Sequence, residues 1–117
     1  GGSTTAYTVG IAKKGIRNIL RHAGITKGEL EVGETLNLDM PDQSCYIFSE
    51  TTGLVEHCVD LGDEVKTGQL VAKVHNIERT GTDPEEYYAG IDGIYTGRHF
   101  PGLVVNGDFL GVIAVPM

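Results

Sequence analysis

Between Thr8 and Ala23 the apolar residues Ala12, Ile16, Ile19, Leu20 and Ala23 recur at steps of three and four, which puts them on one face of a helix. Lys13, Arg17 and Arg21 follow at steps of four and form a basic row on the opposite side. Gly24 followed by Ile25 has the form of a left-handed helix stop with its apolar contact, and Arg21 and His22 suit the negative end of the helix dipole. Gly10 and Gly15 each cost about 1 kcal/mol against alanine inside a helix, so contacts made by the stripe have to offset them. Beyond the polar connector ITKGELEVGE the period changes. Strands are predicted at Thr35–Met40, Cys45–Ser49, Leu54–Asp60, Leu70–Val74, Tyr87–Ala89, Ile94–Arg98 and Phe109–Val115, separated by PD, TTG, LGD, KTG, DG, FPG and NGD. Short strands between such turn signals indicate an all-β sandwich or barrel.

The strand region also repeats itself. GLVEHCVDLGDEVKTGQLVAKV from Gly53 echoes GIYTGRHFPGLVVNGDFLGVIA from Gly93, with Gly53 matching Gly93, Gly62 matching Gly102, and Gly68 matching Gly107 after one deletion. Each half reads strand, turn, Val, turn, Gly, strand. Two such halves packed face to face about a pseudo-two-fold bury a core that neither can bury alone. The pattern resembles that of lipoyl- and biotinyl-type domains. The expected fold is therefore mostly β, a barrel-sandwich hybrid preceded by one α-helix, with residues 1–27 as the helical unit and 28–117 as the β-sandwich domain. Those carrier domains present a lysine in a tight hairpin about ten residues after the glycine that Gly68 resembles. Here that position is Glu78, Lys73 lies inside a predicted strand, and the segment Glu78–Asp92 is a long loop, so carrier function is not expected.

Charge sharpens the division. The net charge of −7 conceals five basic residues and no acid in residues 1–27, against all sixteen acids and four bases in 28–117. An acidic body of this kind argues against nucleic acid and anionic membranes as partners. Seventeen glycines and 7% aromatics fit a turn-rich, short-stranded protein. No apolar run approaches the roughly 20 residues needed to span a bilayer and no secretory pattern opens the chain, so a soluble cytoplasmic protein is expected. Cys45 and Cys58 belong to no metal-binding spacing and are expected as two buried free thiols.

Four stretches carry candidate chemistry. His75-x-x-Glu78 has the spacing of a zinc-ligand pair, but a catalytic zinc needs a third ligand, here His57 or His99, and nothing in the sequence makes them converge. Arg98–Gly102 joins a cation, an imidazole and an aromatic ring to a rigid turn, which suits a pocket wall, yet it aligns with the ordinary strand-to-turn passage CVDLG of the first half. DPEEYYAG places Tyr87 and Tyr88 on an apparent loop, where they either contact a ligand or tuck beneath it. The glycine pair in GGSTTAY resembles a tight turn entering a helix. No phosphate loop, nucleophile elbow or paired serine is present.

Taken together, GGS followed by GIAKKGIRNILRHAGI, then SETTGLVEHCVDLGDEVKTGQLVAKVHNIERTG and YYAGIDGIYTGRHFPGLVVNGDFLGVIA, resemble the C-terminal part of the succinylglutamate desuccinylase/aspartoacylase family. HNIERTG and GRHFPGLV are most similar to its N-acetyl-diaminobutyrate deacetylase-type members. The resemblance implies a parent enzyme that uses zinc to hydrolyse N-acyl amino acids. The family's zinc ligands and catalytic glutamate belong upstream of Gly1, so no catalytic residue, no metal ligand and no cofactor is expected in this chain. Residues 1–27 then represent the terminal helix of an upstream catalytic domain, which becomes the chief partner, with a small N-acyl amino acid as substrate and homo-oligomer contacts possible. The β-domain is expected to shape substrate access, with Arg79, Tyr87, Tyr88 and His99 as substrate-contact candidates. The alternative is a stand-alone interaction or assembly module without catalysis.

Overall fold

The structure, a computed structural model, describes residues 4–117; the glycine-pair turn expected at residues 1–2 lies outside them. The chain forms two compact units that divide between Thr35 and Leu36. In the first, α1 runs Ala6–His22. It begins slightly before the apolar stripe because Thr5 caps it: the Thr8 amide donates to Thr5 Oγ1 at 3.2 Å, and the Thr5 amide donates to Thr8 Oγ1 at 2.9 Å. The predicted stop is present, since Gly24 takes φ 71° and the Ile25 amide returns to the Leu20 carbonyl at 3.0 Å. The connector is bound back onto this helix. Asn18 exchanges two 2.9 Å bonds with the main chain of Glu31, while Arg21 donates to the Glu29 carbonyl at 2.8 Å and to the Glu31 carboxylate at 2.9 Å. No side chain of α1 is buried.

The second unit holds two antiparallel sheets. Its strands are β1 (Leu38–Asp39), β2 (Tyr46–Phe48), β3 (Gly53–His57), β4 (Glu64–Val65), β5 (Leu70–His75), β6 (Glu85–Tyr88), β7 (Gly93–Arg98), β8 (Leu103–Val104) and β9 (Phe109–Pro116). One sheet runs β1-β9-β7-β4, with β2 also paired to β9; the other runs β6-β5-β3-β8. The two halves of the repeat are visible in this order. The long pair β3–β5 of the first half matches β7–β9 of the second, and each half donates its short middle strand to the other. Thus β4 pairs with β7 (Glu64↔Ile94, Val65↔Gly93) and β8 pairs with β3 (Gly53↔Val104, Leu54↔Leu103). The isolated valine of each half in the sequence becomes the buried residue of that exchanged strand, Val65 or Val104.

The core lies between the sheets. Val71 and Val74 from β5, Leu110 and Ile113 from β9 and Tyr95 from β7 belong to one buried cluster, and the partly buried Val55 from β3 packs against it. Each fully buried aliphatic side chain contributes about 1.5–3 kcal/mol. Tyr95 is wholly buried, its ring lying over Gly111, where any side chain would collide with the phenol. Its hydroxyl donates to the Leu110 carbonyl at 3.3 Å, and burial pushes the phenol up to about 12. Gly53 and Gly93, which open the two halves, are required by space rather than by backbone angle. A side chain on Gly53 would strike the His75 carbonyl, and one on Gly93 would meet the Ala114 carbonyl at 2.5 Å.

Of the two cysteines, Cys45 is buried and free as expected, but Cys58 is exposed. It follows the end of β3 beside the Val59 side chain that turns into the core, so it takes the outward alternate position.

Replacing Gly53 or Gly93 by alanine is expected to destabilise the β unit by roughly 1–3 kcal/mol in urea melts, the usual cost of forced overpacking. Gly33→Ala, with open space around it, is the control and leaves the midpoint unchanged; equal effects at the three sites would contradict the steric account. A second test concerns the link between β6 and β7. Asp92 accepts from the Thr67 amide and hydroxyl, both at 2.8 Å, and from Lys66 Nζ at 3.1 Å, and these contacts hold its carboxyl down at about 2. A depressed carboxylate stabilises the fold above its ordinary range and loses that contribution as pH falls toward 2. The Asp92 carboxyl-carbon NMR titration is therefore expected to have its midpoint near 2, moved upward in Thr67→Val. An ordinary aspartate midpoint in the wild type would rule the turn contact out.

Candidate functional site

The loop from Asn76 to Pro84 joins β5 to β6. Asn76 starts it with an Asx turn, its Oδ1 accepting from the amides of Glu78 at 2.8 Å and Arg79 at 3.1 Å. Gly81, at φ 78°, allows the return, and the Thr82 hydroxyl donates to the Arg79 carbonyl at 3.3 Å. Arg79 is exposed at the outside of this loop, with no ion-pair partner among the described residues. Beside it an open cleft of about 470 Å³ is lined by Thr51, Thr52, Asn76, Ile77, Glu78 and Asn106, with Glu50 at its edge. Three connections meet there: β2–β3, β5–β6 and β8–β9.

The loop is shorter than the sequence suggested. Residues Glu85–Tyr88 pair with β5 (Lys73↔Glu86, Val74↔Glu85), so the tyrosines stand on a strand and alternate. Tyr87 turns inward and is buried; its hydroxyl accepts from the Glu50 amide at 2.9 Å and lies 3.5 Å from Ser49 Oγ. Tyr88 turns outward and donates to Glu86 at 2.5 Å, while Glu86 also pairs with Lys73 at 3.1 Å. The Tyr88 hydroxyl, then Lys73, hold Glu86 below the usual carboxylate range, and Glu86 in turn raises Tyr88 and Lys73. A second open cleft, of about 400 Å³, separates β2 from β6 and exposes Tyr46, Phe48 and Tyr88 along its sides.

The histidines do not assemble. His75 pairs with Glu56 at 2.6 Å, across the β3–β5 ladder and away from Glu78. His57 Nε2 donates to the His99 carbonyl at 3.1 Å, leaving Nδ1 buried without a partner, and burial lowers its affinity for a proton. Both nitrogens of His99 face main-chain carbonyls, Nδ1 at 3.0 Å from Phe109 O and Nε2 at 3.2 Å from Leu103 O. Arg98 reaches Asp60 at 3.4 Å. Among the described residues no three His, Cys, Asp or Glu side chains converge to hold a metal ion. Of the four sequence candidates, Arg79 and Tyr88 are exposed, whereas Tyr87 and His99 spend their polar atoms on the main chain.

Sequence reading missed Ser49, a buried polar residue whose hydroxyl donates to the Thr51 carbonyl at 2.7 Å and helps seat Tyr87. No local signal marks it, because its partner Tyr87 is far along the chain. No helix among the described residues is long and apolar enough to cross a membrane.

No protein-family model matches the chain. It is 47% identical over 116 residues to the N-alpha-acetyl-L-2,4-diaminobutyric acid deacetylase of Halomonas elongata, an alignment covering 97% of this chain and 34% of that protein. The product-bound structure of the ectoine utilization protein EutE (DoeB) from Ruegeria pomeroyi superposes with a TM-score of 0.91 at 51% identity, covering 98% of this chain and 35% of that one. A succinylglutamate desuccinylase from Silicibacter sp. TM1040 gives a TM-score of 0.90 at 49% identity, covering 100% and 36%. The chain spans about a third of the length of these relatives. Its close relatives and structural neighbours are members of the succinylglutamate desuccinylase/aspartoacylase family, N-acetyl-diaminobutyrate deacetylase among them, and the chain corresponds to their C-terminal portion.

Proposed function

We propose that the chain serves as the C-terminal β-portion of a cytoplasmic, zinc-dependent amidohydrolase that deacylates N-acyl amino acids, and that it shapes access to a catalytic centre carried by the rest of such a protein. The observation that carries this reading is the match over 97–100% of the chain, at about half identity, to a third of a deacetylase and of its structural neighbours. The two sheets with exchanged middle strands support the barrel-sandwich plan for this portion. The described residues do not fit a zinc site, since no set of ligands converges among them. This reading assigns zinc and the catalytic glutamate to the rest of such a protein and no chemical step to the residues of this chain.

What the β unit offers is recognition. The Asn76–Pro84 loop holds the exposed Arg79 guanidinium on a turn pinned by Asn76, suited to a substrate carboxylate through paired N–H donors. Tyr88, outward on β6, suits contact with the substrate's apolar part. Tyr87 and His99 act from beneath, by holding β6 and β8 in place.

Two experiments test this. The 117-residue chain alone is expected neither to hydrolyse N-acetyl-2,4-diaminobutyrate nor to hold stoichiometric zinc, whereas joining it to the upstream part of the Halomonas elongata relative yields an active, zinc-loaded deacylase. Hydrolysis by the chain alone would overturn the proposal. In the joined enzyme, Arg79→Ala is expected to raise KM about tenfold with kcat little changed, the pattern of lost uniform binding, and Tyr88→Ala to do so less. Unchanged kinetics in both variants would remove the loop and β6 from the substrate path.

A further inference from the structure

Just beyond its first long strand each half carries a different kind of side chain, a buried valine in the first and a half-buried imidazole in the second. His99 stands six residues after Gly93, where the first half has Val59, a buried member of the core six residues after Gly53. A position that packs a valine in one half holds an imidazole in the other, and the ring's surroundings account for it. Nδ1 lies 3.0 Å from the Phe109 carbonyl and Nε2 lies 3.2 Å from the Leu103 carbonyl. Carbonyl oxygens only accept. A neutral imidazole carries one N–H and one lone pair, so it satisfies one of these oxygens and points a lone pair at the other; an imidazolium donates to both.

We propose that His99 is a protonation-dependent latch on β8: as the imidazolium it ties β8, through Leu103, to the start of β9, through Phe109, and on losing one proton it releases one of the two.

The consequence reaches β3, because β8 is the strand the second half lends to the first. Leu103 pairs with Leu54, the Val55 amide donates to the Gly102 carbonyl at 2.8 Å, and the His99 carbonyl accepts from His57 at 3.1 Å. Charged groups around the ring do not supply another partner. From β7, Arg98 is engaged with Asp60 at 3.4 Å. From β3, His57 donates through Nε2, and burial lowers its affinity for a proton. From the β8–β9 turn, Asp108 accepts from the Val105 amide at 2.9 Å. No ion pair among the described residues includes His99. In the first half the equivalent exchange bond runs from the Tyr95 amide to Asp63 O at 2.9 Å, and the residue aligned with His99 is Val59, which has no side-chain donor.

That asymmetry supplies an internal control. In the wild-type chain, at a pH low enough to protonate the ring, nitrogen-edited NMR is expected to find hydrogen on both His99 ring nitrogens and the Val55 amide protected. As pH is raised and the ring loses a proton, hydrogen exchange at Val55 should accelerate about tenfold relative to Tyr95, in step with the His99 titration. In His99→Val, which copies the other half, the ratio of the two exchange rates should no longer vary with pH. A singly protonated His99 with Val55 fully protected would overturn the latch, as would a ratio that follows His57 or that persists in His99→Val. If that variant does not fold, the wild-type titration decides.

Discussion

Neither half of the β unit completes its own sheet. Each keeps its two long strands paired, β3 with β5 and β7 with β9, and hands its short middle strand to the other. A two-residue strand has too few ladder bonds to hold itself, so β4 and β8 exist only because the opposite half receives them. Val65 and Val104 go into the shared core with those strands. Each exchange thereby joins the two halves at the edge of one sheet.

Two of the glycines follow from the long strand pairs. Within each pair main chain meets main chain at Gly53 and Gly93, where the carbonyls of His75 and Ala114 on the neighbouring strand occupy the space of a side chain. Gly111 is excluded from carrying one for a different reason. The Tyr95 ring fills its surface, buying burial of an aromatic body while the hydroxyl still finds the Leu110 carbonyl. The turns at Gly62, Gly68 and Gly107 are instead true left-handed positions, at φ 98°, 80° and 91°.

Functional potential gathers where the strands end. The Asn76–Pro84 loop and the open clefts carry exposed side chains, and buried Tyr87 and Ser49 seat β6 beneath them, while the half-buried His99 ring lies between the Leu103 carbonyl of β8 and the Phe109 carbonyl of β9. The helix α1 belongs to a separate unit with its own caps and connector bonds, and its basic row is partly neutralised by Glu31, which Arg21 and Arg17 hold below the usual carboxylate range.

Several features were legible in the residues alone. Apolar steps of three and four specify α1, and Gly24-Ile25 specify its stop, because helix geometry is a local property. The echo between Gly53 and Gly93 specifies two equivalent halves, since the same turns recur at the same offsets. The resemblance to the desuccinylase/aspartoacylase family was carried by whole motifs and agrees with the relatives found. Other features depended on partners far along the chain. The strands β4 and β8 read as single valines, since their partners lie in the other half. Alternation on β6 separates Tyr87 from Tyr88, and a loop reading cannot see it without the pairing to β5. Cys58 turns outward beside an inward Val59, and His75 finds Glu56 rather than Glu78, only once β3 and β5 are in register. Sequence by itself determined the local turns, the helix and the two-fold repeat, because those rest on backbone angles and periodicity. Tertiary structure decided which side chains are free to act, because burial and hydrogen-bond satisfaction are settled between strands that the sequence keeps far apart.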